Sequence, residues 1–179
     1  MKANNRVRIL EGVIAIIERD GLTAVTFDAV AAETGITRGG LIYHFRSRDE
    51  LITASHAFLA DRWRVQLDEL AERRTGGDRQ QAYILSGGEA PSRAEMVLML
   101  DSAHNDRVAS IWSEVRDSAA PSVPVEGDAA AMARFIAGLA SDGLWLMQAQ
   151  DPNGLPPAAR ERVMAALIEM SSPKPDRGV

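Results

Sequence analysis

Cysteine is absent from the sequence, which removes disulfides, thiol nucleophiles and cysteine-ligated metal centres together. No apolar run approaches the roughly 20 residues that a membrane-spanning helix needs, and the opening Met1-Lys-Ala-Asn-Asn-Arg lacks the pattern of a secretory leader. The alternation that marks strands is nearly missing, whereas apolar residues recur every three or four positions throughout. There is no Gly-x-Ser-x-Gly elbow, phosphate-binding P-loop or dinucleotide fingerprint. These absences point to an all-helical cytoplasmic protein that needs no cofactor and is not an enzyme.

What is present is a chain of 179 residues, 46% hydrophobic, with a formal charge of −5. That charge is unevenly placed. Residues 1–60 hold seven basic and seven acidic side chains, and the remaining thirteen basic and eighteen acidic ones lie beyond. From Thr37 to Arg48 there are three arginines (Arg38, Arg46, Arg48) and His44, with no acid. Local charge governs phosphate binding more than net charge does, so the acidity of the whole chain does not exclude a nucleic-acid role.

The spacing predicts a first helix from about Asn5 to Arg19. Val7, Leu10, Ile14 and Ile17 form one stripe on it, Ile9, Val13 and Ile16 another, and Gly21 stops it. A short second helix opens at Thr26, a residue suited to N-capping, and ends at Gly35. A third runs from Thr37 to about Tyr43. Ser47-Arg-Asp-Glu50 reads as a capping box that starts a long fourth helix ending near Arg73, ~40 Å in length. A short helical segment lies between the breaks at Thr75-Gly-Gly-Asp and Gly87-Gly-Glu-Ala-Pro91. Further helices are expected at about 92–101, 106–117, 128–149 and 158–170, separated by proline- and glycine-bearing turns. About nine helices result. They divide into a head (1–48), a body (49–171) and a tail (172–179) expected to be disordered.

Thr26-Phe-Asp-Ala-Val-Ala-Ala-Glu-Thr-Gly35-Ile-Thr-Arg-Gly-Gly-Leu-Ile-Tyr-His-Phe45 reads as two short helices joined by a glycine-containing turn, the geometry of a helix-turn-helix. Short helices and turns by themselves would also suit any small bundle. Val30, Ile36, Leu41 and Phe45 are placed to pack inward, leaving Thr37, Arg38 and Gly39 at the exposed end that meets base edges when such a helix enters a major groove. Gly39 and Gly40 each cost a helix interior about 1 kcal/mol, a cost that makes sense where bare backbone must lie against DNA. Tyr43, His44 and Arg48 are donors suited to phosphate oxygens.

Over residues 6–52, above all in Gly40-Leu-Ile-Tyr-His-Phe45 followed by Ser47-Arg-Asp-Glu-Leu51, the sequence resembles the DNA-binding head of the TetR family of bacterial repressors. The resemblance implies a three-helix, homeodomain-like head followed by a helical dimerisation and ligand-binding domain. It implies base reading by Thr37, Arg38 and Gly39, and phosphate contacts from Tyr43, His44 and Arg48, with Thr26 at the start of the second helix completing the DNA-binding set. Ile42 and Phe27 depart from the residues common in the family at DNA-contacting positions and are left out of that set.

Leu139-Ala-Ser-Asp-Gly-Leu-Trp-Leu146 and the final helix are similar to the last two helices of one TetR subgroup, that of multidrug-efflux repressors, which implies a homodimer joined through residues 128–149 and 158–170. Small residues (Gly138, Ala140, Ser141, Gly143) allow close helix approach there, and Val163, Ala166, Leu167 and Met170 give the last helix an apolar stripe. Both helices would equally serve to cover a monomer core. The family body implies a small-molecule pocket, here lined by Trp63, Met96, Met99, Leu100, Trp112, Phe135 and Leu139 with His104 at its edge. Methionine and tryptophan there suit a hydrophobic or cationic effector, although large apolar residues at helical spacing are also ordinary core.

Asp101-Ser-Ala-His104-Asn-Asp106 brings carboxylates near an imidazole, but one histidine among surface acids reads as a solvated helix end, and no metal site is expected. The resulting reading is a ligand-responsive repressor that binds a palindromic double-stranded operator as a homodimer and is released by its effector. The alternative is a small-molecule-binding protein whose head has lost DNA affinity.

Overall fold

The structure, a computed structural model, describes residues 2–89, 91–151 and 155–172, with side chains from residue 5 onward. Nine helices and one short 3-10 turn make up the described residues, with no strand among them. The helices are α1 (Lys2–Asp20), α2 (Phe27–Thr34), α3 (Arg38–His44), α4 (Arg48–Arg74), α5 (Arg79–Ser86), α6 (Arg93–Ser102), α7 (Asp106–Asp117), α8 (Ala129–Gln150) and α9 (Pro157–Ser171). The 3-10 turn at Leu22–Ala24 is the one element without a sequence expectation. Apart from Ser172, the expected tail lies outside the described residues. No described helix is long and apolar enough to cross a membrane.

The chain forms two compact units: residues 1–62 with 92–113, and residues 63–91 with 114–179. In the first, α1 packs against α2, the 3-10 turn and α6, and α2 packs on α3. Ile9, Val13 and Ile16 of one α1 stripe are buried, as are Leu10 and Ile17 of the other, while Val7 is exposed, so both stripes contribute to the face that meets the core. Gly12 allows the approach of α2, because a Cβ there would overlap the Thr34 methyl. Thr34 cannot simply rotate away, since its hydroxyl donates to the Val30 carbonyl at 2.7 Å.

Helix α6 joins this unit through a cap supplied from far away in sequence. The Glu18 carboxylate accepts from the backbone N–H of Arg93 at 3.1 Å and of Ala94 at 2.8 Å. Two otherwise unpaired donors of a helix start are thereby satisfied. Ser92 and Glu95 add a complete capping box at the same end.

His56 of α4 is completely buried in this unit. The Trp112 indole N–H donates to its Nδ1 at 3.0 Å, so Nδ1 carries no proton and the neutral ring bears it on Nε2. Nε2 lies 3.4 Å from an Asp101 carboxylate oxygen, without a well-formed hydrogen bond. Burial holds the imidazole below its ordinary range, and the Asp101 carboxylate opposes this only in part.

In the second unit α5, α8 and α9 pack pairwise around Ile84, Ala137 and Leu167, with Met164 and Ile168 against them. Two of the small residues of α8, Gly138 and Ser141, pack within the chain. The Ser141 hydroxyl donates to the Ile84 carbonyl at 2.7 Å, and a Cβ on Gly87 would land on that serine. Gln148 donates to the Gly87 carbonyl at 3.1 Å, and Gly138 sits under Pro121.

The histidine carries a pH prediction. Its folded-state pKa is lowered, so the unfolded chain takes up the proton more readily, and protonation would also turn Nδ1 from an acceptor into a donor facing the indole N–H. Its contribution to stability is complete above the ordinary value of 6.5 and is lost as pH falls below it. Urea midpoints measured from about pH 7.5 to about pH 5.5 are expected to fall more steeply for the wild type than for His56→Gln, which keeps an acceptor for the indole but does not titrate. Parallel slopes would show that the ring titrates normally.

Candidate nucleic-acid interface

Helices α2 and α3 are too short to persist alone, and each is fixed at its ends. The Thr26 hydroxyl accepts from Ala29 N–H at 3.1 Å, and Gly35 closes α2 in the left-handed conformation at φ 67°. The Arg8 guanidinium donates to the Thr34 carbonyl at the same end. The Thr37 hydroxyl accepts from Gly40 N–H at 3.2 Å and starts α3. The N-cap expected at Thr26 and the helix boundaries expected at Gly35 and Thr37 are therefore in place.

Leu41 and Phe45 are fully buried, with the Arg6 guanidinium 4.4 Å from the Phe45 ring centre. Most of the remaining α3 residues face outward. Arg38 and Gly39 are exposed, Ile42 is nearly half exposed, and Tyr43 is 69% exposed. His44 is partly covered, and its ring meets that of Tyr43 edge-on at 5.2 Å. A row of residues suited to DNA contact thus occupies the face opposite the two anchors.

The paired glycines have different reasons for being there. A Cβ on Gly40 would lie 3.0 Å from the Ile36 methyl and 3.3 Å from the Thr37 hydroxyl, so Gly40 makes room for the cap. A Cβ on Gly39 would meet nothing within 4 Å. Nothing within the subunit calls for glycine at that position.

Two arginines are engaged in ways the spacing does not reveal. Arg48, expected to grip phosphate, donates through Nε to the Val25 carbonyl at 2.7 Å and through Nη2 to the Leu22 carbonyl at 2.8 Å. It ties the start of α4 to the turn that leads into α2. Arg38 pairs with Asp28 at 2.6 Å and lies 6.0 Å from the Phe27 ring centre. The start of α4 also differs from the expected box: Ser47 caps Glu50 N–H, but the Glu50 carboxylate accepts from Arg46 N–H rather than from Ser47.

The residues expected to line a pocket fall in both units. Met96, Met99, Leu100, His104 and Trp112 belong to the first, where Trp112 is buried against His56 while Leu100 and His104 are exposed. Trp63, Phe135 and Leu139 belong to the second. Phe135 and Leu139 line an open cavity of about 480 Å³ together with Tyr83, Arg116 and Asp142, and the Trp63 ring leans on Tyr83 at 5.9 Å.

Sequence reading passed over Tyr83 and Asp142, whose hydroxyl and carboxylate are hydrogen-bonded at 2.8 Å. Burial raises both pKa values. The Asp142 charge raises that of Tyr83 further, whereas the tyrosine hydroxyl and Arg116 oppose the rise at Asp142. A carboxylate in the otherwise apolar run of α8 is the signal that was available.

Two family profiles match the chain. Bacterial regulatory proteins of the tetR family match residues 9–54, and the Tetracyclin repressor-like C-terminal domain matches residues 77–172. No curated protein matches. Among solved structures, a transcriptional regulator from Rhodococcus sp. Rha1 superposes with a TM-score of 0.70 at 18% identity, covering 92% of this chain and 94% of its own. The multidrug-binding protein EbrR, solved with imidazole, gives 0.64 at 20% identity, covering 97% of this chain and 92% of its own. A second EbrR structure, solved with ethidium, gives 0.61 at 19% identity, with 92% and 96% covered. At these identities the likeness to solved structures is one of fold, whereas the two profiles, the second of which alone spans more than half of the residues, make this chain a member of the TetR family of transcriptional regulators.

Proposed function

We propose that this regulator is a repressor that binds a palindromic operator as a homodimer, each subunit laying α3 in a major groove, and that a small hydrophobic or cationic effector releases it. The observation that carries the reading is Gly39: an exposed glycine in the first turn of α3, with open space where its side chain would be. Glycine there weakens the helix, and close approach of DNA to the backbone supplies a reason that the subunit does not.

Arg38 is then the base reader beside it, and Tyr43 and His44 are phosphate donors. Thr26 and Thr37 accept their cap bonds through the hydroxyl oxygen and keep a proton to donate. Arg48 acts chiefly by holding the turn before α2.

Homodimerisation through α8 and α9 is supported by their remaining apolar faces. Met132, Ile136, Leu139, Leu146 and Met147 of α8 are exposed, as are Val163 and Met170 of α9, although each helix already buries another face in its own subunit. Gly143 faces open space between them in sequence.

The effector class is supported by the Asp142 carboxylate beside Phe135 and Tyr83 in the cavity. A cation that approached it would restore a charge that burial disfavours. EbrR, described above with ethidium, lends the choice of probe.

Three variants test the head, using duplex DNA enriched from a random pool by the wild type. Gly39→Ala is expected to raise stability by about 0.5–1 kcal/mol yet weaken operator binding about tenfold or more. Equal or tighter binding would remove the close-approach argument. Arg38→Ala should cost about 1–3 kcal/mol on the enriched duplex and much less on random duplex. Equal losses on both would show that Arg38 reads no base.

Arg48→Ala is expected to lower the melting temperature by several degrees, at about 1–2 kcal/mol, and to weaken binding without changing its salt slope. A slope reduced by about one per subunit would show a phosphate contact instead. For the body, a fluorescence titration with ethidium on DNA-free protein is expected to saturate, with affinity about tenfold lower for Asp142→Asn. Unchanged affinity in that variant would remove Asp142 from the effector site.

A further inference from the structure

The base-reading arginine is already occupied when no DNA is bound. Arg38 Nη1 sits 2.6 Å from Asp28 Oδ1, and the two side chains are 59% and 79% exposed. Asp28 stands in the first turn of α2, where the helix dipole favours a carboxylate, but it makes no cap bond. Thr26 provides the N-cap of α2, and its hydroxyl rather than Asp28 takes the Ala29 N–H. An acid on the face meant for a polyanion is opposed by every phosphate it approaches. An exposed ion pair of this kind shifts an equilibrium by no more than about fivefold, so it holds the arginine without locking it.

We propose that Asp28 is a specificity-determining residue of the head. Its carboxylate neutralises Arg38 away from the operator, so that random duplex meets a weakened cation. The pair opens where a base edge replaces the carboxylate. A guanine O6/N7 edge is the acceptor pair that a guanidinium fits in bidentate fashion, so at the right base Arg38 exchanges one single-point contact for two. The neutral balance of residues 1–60 follows the same logic: low affinity for DNA at large, with selectivity from exchange of one partner for another. The inference rests on the DNA-binding reading above and adds to it a residue whose role is to withhold.

The test compares Asp28→Asn with the wild type on two probes, an unselected random duplex pool and the pool enriched on the wild type. Asp28→Asn is expected to bind the random pool more tightly by up to about fivefold per subunit, with a salt slope steeper by about one per subunit. It should gain less on the enriched pool, so the specificity ratio falls. In an Arg38→Ala background the same substitution should lose most of its gain, because the partner it frees is gone.

Unchanged affinities, an equal gain on both probes, or a full gain retained in the Arg38→Ala background would each overturn the proposal. A loss on the enriched pool alone would overturn it too, showing that Asp28 aims Arg38 rather than withholds it. Asp28→Ser, which also suits a first helical turn, must reproduce the result, and thermal melts of both variants exclude a folding defect. If the wild type retains no duplex from either pool at low salt, the DNA-binding reading itself fails and the inference with it. That outcome differs from one in which the wild type binds and Asp28→Asn changes nothing.

Discussion

The burial of Leu41 and Phe45 is the constraint on which the rest of the head depends. Helix α3 is seven residues long and has no independent stability. Two buried side chains on one face fix its rotation, and by doing so they put Arg38, Gly39, Ile42 and Tyr43 on the other. Phe45 lies under the Arg6 guanidinium, so the first helix also covers the residue that caps α3. The threonine caps then set where α2 and α3 begin, and Arg48 binds the preceding turn to α4. Each of these contacts stabilises the fold, and together they leave an exposed surface whose composition has no stabilising purpose.

That division between fold and function is sharpest at two adjacent glycines. Gly40 serves the cap geometry, and Gly39 serves nothing inside the subunit. Neighbouring arginines divide in the same way. Arg6, Arg8 and Arg48 reach back to backbone carbonyls, whereas Arg38 is held by one exposed carboxylate. A count of positive charges would treat the four alike. In the folded chain three of them brace the head, and the fourth remains exchangeable.

Much of this architecture was legible in the sequence because local signals agreed with one another. Thr26, Gly35 and Thr37 take the cap positions their chemistry suggests, and α7 begins and ends at the residues its apolar spacing marks. What was not legible depends on partners far apart in the chain. Nothing near Arg93 indicates that Glu18 will cap α6, nothing near Arg48 indicates the carbonyls of Leu22 and Val25, and Asp28 and Arg38 lie ten residues apart at the starts of different helices. The 3-10 turn at Leu22–Ala24 is too short to show a period. In α8, small residues that suggested close packing between subunits are divided. Gly138 and Ser141 accommodate Pro121 and Gly87 of the same chain, and Gly143 is left open.

In the proposed complex the exposed face of α3 enters successive major grooves from two symmetry-related subunits. A hydroxyl-radical footprint on duplex enriched by the wild-type chain tests it most directly. Two protected patches related by a dyad are expected, their centres one helical turn (about 34–36 Å) or a multiple of it apart. One isolated patch, or uniform protection without a dyad, would contradict it.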